Sequence, residues 1–381
     1  MSSDEPSAAP PASSSIEGTP PERSPLGGPS PRSAPLALPP LGFGAAQLGN
    51  LYRVTTDEEA AGAVTAAWEG GIRYFDTAPH YGLGTSERRL GALLQQFPRE
   101  EYLLSTKVGR LLRPGPGTGD DMAHSFAVPD DHVREWDFSE AGIRRSHAES
   151  LERLGLDRVD ILLAHDPEEG PTEQAFAEGL PALVRMREEG LVRAVGVGSK
   201  DADVLTRAVR TGLIDLVMLS GRYTLLEQAA SRELLAECER RGVGVIAVSV
   251  FNSGLLSRHE VPADATYEYA QAPTAMLQRA RELAALAERH GVTLPDLAVQ
   301  YPLRHPAVRS VALGMRTATQ VRSNVERMAA QVPVEAWGDV ARLEHAMSGG
   351  KRAVADGAQP SDAEEVPTGA PSAGGVADAA R

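Results

Sequence analysis

The sequence predicts an α/β fold, a (β/α)8 TIM barrel. Three observations predict it. From Gly42 onward, short apolar runs alternate with longer helical patterns. The runs are apolar throughout rather than alternating, as strands of a parallel sheet covered on both faces must be. Eight such units fit within about 310 residues, a normal size for a closed barrel.

In chain order, Leu41–Leu48 is the first predicted strand, and Asp57–Glu69 is a helix with Thr55 or Thr56 as cap and Gly70-Gly71 as stop. Ile72–Phe75 is the second strand, followed by a helix over Thr85–Gln96. Tyr102–Thr106 is the third, after which a Gly/Pro-rich loop from about 109 to 137 breaks the rhythm. A helix over Ser139–Leu154 ends at Gly155, and Val159–Ala164 is the fourth strand. Thr172–Glu189 is a helix stopped by Gly190, Val192–Val197 the fifth strand, and Ala202–Arg210 its helix. Ile214–Leu219 and Val243–Val248 are strands six and seven, separated by a helix over Ala229–Arg241. Helices at 274–290 and 295–304 precede the last strand, Val308–Leu313, and its helix at 318–330. An open doubly wound sheet is the competing topology, but its dinucleotide fingerprint is missing. Gly196-Val197-Gly198-Ser199-Lys200-Asp201 lacks the third glycine.

Residues 1–38 and 349–381 are rich in Pro, Ser, Ala and Gly, without apolar periodicity, and are expected to be disordered tails flanking a barrel domain at 39–348. The net charge of −14 resides mostly in the barrel part and argues against nucleic-acid or anionic-membrane surfaces. No apolar run has the length of a membrane span, and no signal-peptide core is seen. Cys238 is the one cysteine; set among Leu234, Leu235 and Ala236 it reads as packing, so neither a disulfide nor a thiolate metal cluster is expected. The expectation is a cytoplasmic monomer or small homo-oligomer without a metal, acting on a small molecule.

Barrel chemistry is carried at the C-terminal strand ends. The polar groups there are Asp76 with Tyr81 just beyond it, Lys107 after strand three, and His165-Asp166 after strand four. Each alone has an ordinary structural explanation. Lys107 resists it, because the chain has three lysines (Lys107, Lys200 and Lys351) among 38 basic residues. A lysine where arginine is the default suggests a compact ammonium that can be desolvated. Buried, it needs Asp76 as counter-ion. Beside Tyr81 it would favour phenolate and bring a phenol down from about 10, giving a proton donor or acceptor near neutral pH. His165 could orient a substrate oxygen.

Asp76, Tyr81, Lys107 and His165 resemble, in order and context, the catalytic tetrad of the aldo-keto reductase superfamily. The resemblance covers roughly residues 40–346. It implies Tyr81 as general acid/base, Lys107 tuning it, Asp76 paired with Lys107 and His165 orienting the carbonyl. The stretch Phe75–Glu87, Lys107–Leu112, Asp137-Phe138-Ser139, His165-Asp166-Pro167 and Gly221–Leu226 are similar to the branch of D-threo-aldose 1-dehydrogenases and pyridoxal 4-dehydrogenases. That implies oxidation of a sugar hemiacetal to a lactone, or of a related aldehyde or alcohol, with NAD favoured over NADP. Pyridoxal 4-dehydrogenase-like or general aldehyde reductase activity is the alternative.

The same resemblance implies that Ser199 and Ser220 meet the nicotinamide amide and that Asn252-Ser253-Gly254 meet the pyrophosphate. Gly314, Arg316, Gln320 and Asn324 would clamp the adenosine. Gln320 stands where NADP-dependent relatives often carry arginine, which favours NAD, while Arg316 remains a cation in reach. Val248-Ser249-Val250 departs from the family's usual Gly-Gly-Pro. The 109–137 loop is expected to act as a specificity lid with Trp136 covering substrate, and His80 as a substrate contact. Two other classes stay open: a Schiff-base aldolase using Lys107, and a non-catalytic regulatory barrel.

Overall fold

A computed structural model describes residues 36–228, 231–267 and 270–355. Most of both predicted tails and the first two residues of the Ala229–Arg241 helix lie outside the described residues. The strands are β1 (Leu41–Gly44), β2 (Tyr74–Asp76), β3 (Leu103–Val108), β4 (Arg110–Pro114), β5 (Asp120–Asp121), β6 (Phe126–Pro129) and β7 (His132–Trp136). They continue with β8 (Ile161–His165), β9 (Ala194–Ser199), β10 (Leu216–Ser220), β11 (Gly244–Val248), β12 (Thr266–Tyr267), β13 (Ala270–Gln271) and β14 (Val308–Gly314). The order β1-β14-β11-β10-β9-β8-β3-β2 closes into a parallel barrel of eight strands. Closure is made by β1, whose Gly44 is paired with Gly314 on one side and Asp76 on the other.

The continuous apolar runs are explained by two cores. Alternate residues Ile161 and Leu163, or Leu216 and Met218, point inward with Tyr74, Ala194, Ile246 and Ala312 to fill the barrel. Their neighbours Leu162, Val195, Val217, Leu219, Val245 and Val311 face the helices. Gly42 makes room for the inner Tyr74, since a Cβ there would lie 2.4 Å from the ring.

The helices are α1 (Asp57–Glu69), α2 (Thr85–Leu94), α3 (Glu140–Leu154), α4 (Thr172–Gln174), α5 (Leu180–Glu188), α6 (Ala202–Thr211), α7 (Arg232–Arg241), α8 (Thr274–Arg289), α9 (Leu294–Gln300), α10 (Ala318–Ala329) and α11 (Val334–Ala355). A π-turn, Ala175–Gly179, joins α4 to α5. Thr56, rather than Thr55, caps α1, in a reciprocal capping box with Glu59.

Several boundaries differ from expectation for one physical reason. Ile72, Val159, Val192 and Ile214 are buried, as their apolarity requires, but they pack between helix and sheet before the ladder begins. The strands then run further, onto Asp76, Lys107, His165, Ser199 and Ser220. The first strand ends at Gly44 and gives way to a 3-10 turn, Ala46–Gly49. The helix α11 has no counterpart among the predicted elements; its Trp337 and Val340 pack into a cluster with α8 and α9. This helix runs past the expected domain boundary at 348.

The 109–137 segment is not structureless. β4 pairs antiparallel with β7, and β5 with β6, stacking two small ribbons over the mouth of the barrel. Leu112, Phe126 and Val128 form a small core there with Leu83. Its Gly and Pro residues suggested flexibility, while its short alternating runs carried the strand signal.

Candidate active site

Asp76 is the last residue of β2 and pairs with Ser105 in the β2–β3 register; Lys107 stands two residues further along β3. Both side chains are buried. Lys107 Nζ donates to Asp76 Oδ2 at 2.8 Å, to Oδ1 at 3.0 Å and to the Thr77 carbonyl at 3.0 Å. Burial works against the ammonium, but the Asp76 carboxylate and Tyr81 together outweigh it and hold the lysine above its ordinary value. Ser105 donates to Asp76 Oδ1 at 2.6 Å and is 2.9 Å from the Tyr74 hydroxyl. The carboxylate thus sits on hydrogen bonds from the barrel interior.

Tyr81 reaches this pair on a tight turn. Its amide donates to Ala78 O, and Gly82 follows at φ +60°, packed so closely on Gly49 that a Cβ would lie 2.1 Å from that carbonyl. Only glycine fits there. Lys107 Nζ lies 4.8 Å from the centre of the half-buried Tyr81 ring. The phenol is nevertheless raised from its ordinary value. Burial is the largest cause, Lys107 opposes it, and Asp76 adds to it. This corrects the expectation of a lowered phenol: burial, with the Asp76 carboxylate nearby, outweighs the pull of the lysine.

The His165 ring stands edge-on to Tyr81, 5.9 Å between centres. Burial, helped by the Arg110 and Lys107 charges, holds it well below the usual histidine range, so it is neutral. Its Nε2 is 3.3 Å from Asp166 Oδ2. Among the described residues its buried Nδ1 has no hydrogen-bond partner. The four predicted residues therefore converge on one cavity of about 1160 Å³.

The polar opening of α2 has a supporting task. Glu87 is fully buried and accepts from Thr106 Oγ1 at 2.7 Å and Arg153 Nε at 2.6 Å, while Ser86 binds Thr77 and the Ala45 carbonyl. These contacts tie the Tyr81 turn to the strand that carries Lys107.

The ribbons contribute what sequence reasoning missed. Arg110, on β4, donates to Asp166 Oδ2 at 2.5 Å and Glu169 Oε2 at 3.0 Å. Arg134, on β7, donates through Nε to His80 Nδ1 at 2.5 Å and grips Asp121 with both terminal nitrogens. His80, Arg110, His124 and Phe126 line the cavity. Trp136 does not. It lies against Gly170 and stacks behind Arg110, whose guanidinium carbon is 4.3 Å from the indole centre. The predicted lid aromatic is thus a backing for a cation. Arg110 and Arg134 gave no signal because they stand far apart in the sequence and come together at His80 only when β4 pairs with β7.

Among the expected cofactor residues, Ser199, Ser220, Asn252, Ser253, Gly254 and Gly314 line the cavity. Ser199 Oγ donates to Glu168 at 2.5 Å and accepts from the Asp201 amide, and Ser220 Oγ is 3.0 Å from Ser249 Oγ. Ser249, Asn252 and Ser253 all have left-handed backbones (φ 57°, 47° and 57°), ahead of Gly254 at 95°. Such turns form concavities that suit anions. Among the described residues, Gln47 Oε1 and Asn252 Oδ1 are buried without hydrogen-bond partners, and both residues line the same cavity. A polar dinucleotide fits that donor and acceptor set.

Arg316, Gln320 and Asn324 are not brought to the cavity. Arg316 is buried, donating to Leu51 O, Arg53 O and Thr55 Oγ1, so its charge holds the 51–55 turn instead of remaining in reach of a ligand. Gln320 Oε1 accepts from the Arg316 and Thr317 amides as part of the α10 capping box. Asn324 Oδ1 accepts from Arg327. Among the described residues, no group of three or more His, Cys, Asp or Glu is placed to hold a metal, and no helix is long and apolar enough to cross a membrane.

The chain is 52% identical over 308 residues to D-threo-aldose 1-dehydrogenase from a Pseudomonas species, covering 80% of this chain and 94% of that protein. It is 34% identical over 320 residues to pyridoxal 4-dehydrogenase from Microbacterium luteolum, covering 78% and 91%. The holo form of an aldo-keto reductase from Bacillus halodurans superposes with a TM-score of 0.64 at 26% identity, covering 82% of this chain and 96% of that one. Residues 40–345 match the Aldo/keto reductase family, so the resemblance seen in the four strand-end residues extends over the whole barrel. The chain belongs to the aldo/keto reductase family and is an oxidoreductase that works with a nicotinamide cofactor.

Proposed function

We propose that the protein oxidises an aldose at its anomeric carbon, hemiacetal to lactone, with NAD as the preferred cofactor. The observation that carries this reading is Tyr81 poised over the buried Asp76–Lys107 pair in a cavity whose outer wall is charged and polar. The similarity to an aldose 1-dehydrogenase supports it.

A nicotinamide, when bound, supplies the hydride acceptor or donor. Ser220, Ser249, Asn252, Ser253, Gly254 and Gly314 are the residues that would hold the dinucleotide. Tyr81 first gives up its phenolic proton, the Lys107 ammonium stabilises the phenolate that results, and this phenolate then takes the proton of the anomeric hydroxyl. Asp76 keeps that ammonium charged in a buried place, and Ser105 keeps Asp76 oriented. Neutral His165 holds the reacting oxygen by hydrogen bonding without competing for the proton. The preference for NAD is supported by Arg316 and Gln320, both engaged in structural hydrogen bonds and neither offering a fork to a 2′-phosphate.

The test is a panel of aldoses and pyridoxal, assayed for reduction of NAD and of NADP. Aldose-dependent reduction of NAD is expected. Turnover of pyridoxal with no aldose would replace this reading by the pyridoxal one. Trapping of substrate on Lys107 by borohydride would point to a Schiff-base aldolase.

A further inference from the structure

We propose that Arg134 and Asp121, brought together by the two ribbons, form a buried clamp that fixes His80 as an Nε2–H donor. That donor recognises a ring hydroxyl of a polyhydroxylated substrate. The inference rests on the aldose reading and names the residue that would enforce it.

Arg134 and Asp121 are nearly inaccessible, at 8% and 6% side-chain exposure. The guanidinium spends its two terminal nitrogens on the carboxylate at 2.7 and 2.6 Å and turns its Nε–H onto His80 Nδ1. A terminal nitrogen also binds the His80 carbonyl at 2.9 Å, so backbone and ring are held together. Arg110 lies 3.4 Å from the same Nδ1. A ring nitrogen facing two guanidinium donors has to be an acceptor, which places the single proton on Nε2. His124, bound to Asp121 at 2.8 Å, and Phe126 stand edge-on to the ring and limit its rotation. His80 lines the cavity and its ring centre is 5.6 Å from that of His165. A donor at that distance from the residue that orients the reacting oxygen is in reach of a neighbouring hydroxyl of the same sugar ring. A simple aldehyde has nothing to offer it. Arg134 is therefore a positioning residue, and its effect should depend on the substrate's hydroxyls.

The experiment compares the aldose the enzyme oxidises with propanal, reduced with NADH, in His80→Leu, His80→Gln and Arg134→Met. His80→Leu should raise KM for the aldose by about tenfold or more beyond any change in KM for propanal, with NADH binding by fluorescence retained. His80→Gln, which presents a side-chain N–H in a similar place, should recover most of the loss. Arg134→Met should reproduce the aldose-selective rise in KM. If it fails to fold, the contrast between His80→Leu and His80→Gln decides alone. Unchanged aldose KM in His80→Leu, or an equal loss on propanal, overturns the proposal while leaving the aldose reading intact. A wild-type enzyme that turns over no aldose overturns the functional reading, and this one with it.

Discussion

Lys107 holds both oxygens of Asp76 and at the same time places its Nζ 4.8 Å from the centre of the Tyr81 ring. Lys107 favours the phenolate, but burial and the neighbouring Asp76 carboxylate outweigh it, so the Tyr81 phenol is raised in the resting site. The pair becomes valuable when the phenol loses its proton. Tyr81→Phe should therefore cut turnover by about 10²–10⁴ while NADH binding, followed by fluorescence quenching, stays close to wild type. Near-normal turnover would remove Tyr81 from the mechanism.

The same pair is a point of structural risk. Removing Asp76 leaves a buried ammonium without its counter-ion, a change that costs about 3–5 kcal/mol in comparable buried pairs. Asp76→Leu should lower the urea midpoint strongly. The double variant Asp76→Leu/Lys107→Met should recover much of that loss, although it is inactive. An additive double variant would show that the two side chains contribute independently.

Asp166 should impose a pH dependence on substrate binding. Its carboxyl is raised to about 6 by burial; Arg110 opposes the rise, Glu168 and Glu169 add to it, and Lys107 opposes it more weakly. His165 also faces it. A raised carboxyl favours the folded state most at low pH, and that contribution is lost as pH rises through about 6. The Arg110 clasp has the opposite sense, since it needs the carboxylate. Aldose KM should fall as pH rises from roughly 5 to 7, and Asp166→Asn should flatten that limb. Its thermal midpoint should compare better with wild type at neutral than at acidic pH.

Trp136→Ala should act through Arg110. The indole backs the guanidinium face, so its removal frees a cation that Asp166 and Glu169 also hold. A rise in aldose KM of about 3–10-fold is expected, in line with loss of one cation–π contact, with kcat nearly unchanged. A pure loss of kcat would place Trp136 in a different role.

The barrel was legible because each strand has to be apolar on two faces, and Ile161–Leu162–Leu163 shows both faces in three residues. Asp76, Lys107 and His165 were legible because a charged or polar residue closing an apolar strand is rare enough to notice. The ribbon residues were not. Arg110 and Arg134 look like ordinary surface cations until β4 pairs with β7, and Asp121 has no local signal at all. Gln320 shows the opposite failure: its motif pointed to a ligand, whereas its position three residues after Thr317 made it a helix cap. The α11 helix was missed because Gly338 interrupts a short apolar face.

The pairing of β1 with β14 joins chain segments about as far apart in sequence as the barrel allows, and the cavity opens across that joint. Gly44 and Gln47 line it from one side, Leu313 and Gly314 from the other, and Arg316 ties the far strand to the turn at 51–55. Whatever occupies this part of the cavity must hold the beginning and the end of the barrel together. Its binding energy is then available only to a chain whose circle is complete, so it opposes the peeling away of either terminal strand by mass action. Resistance to proteolysis near residues 41–55 and 308–316 should therefore rise in step with cofactor saturation.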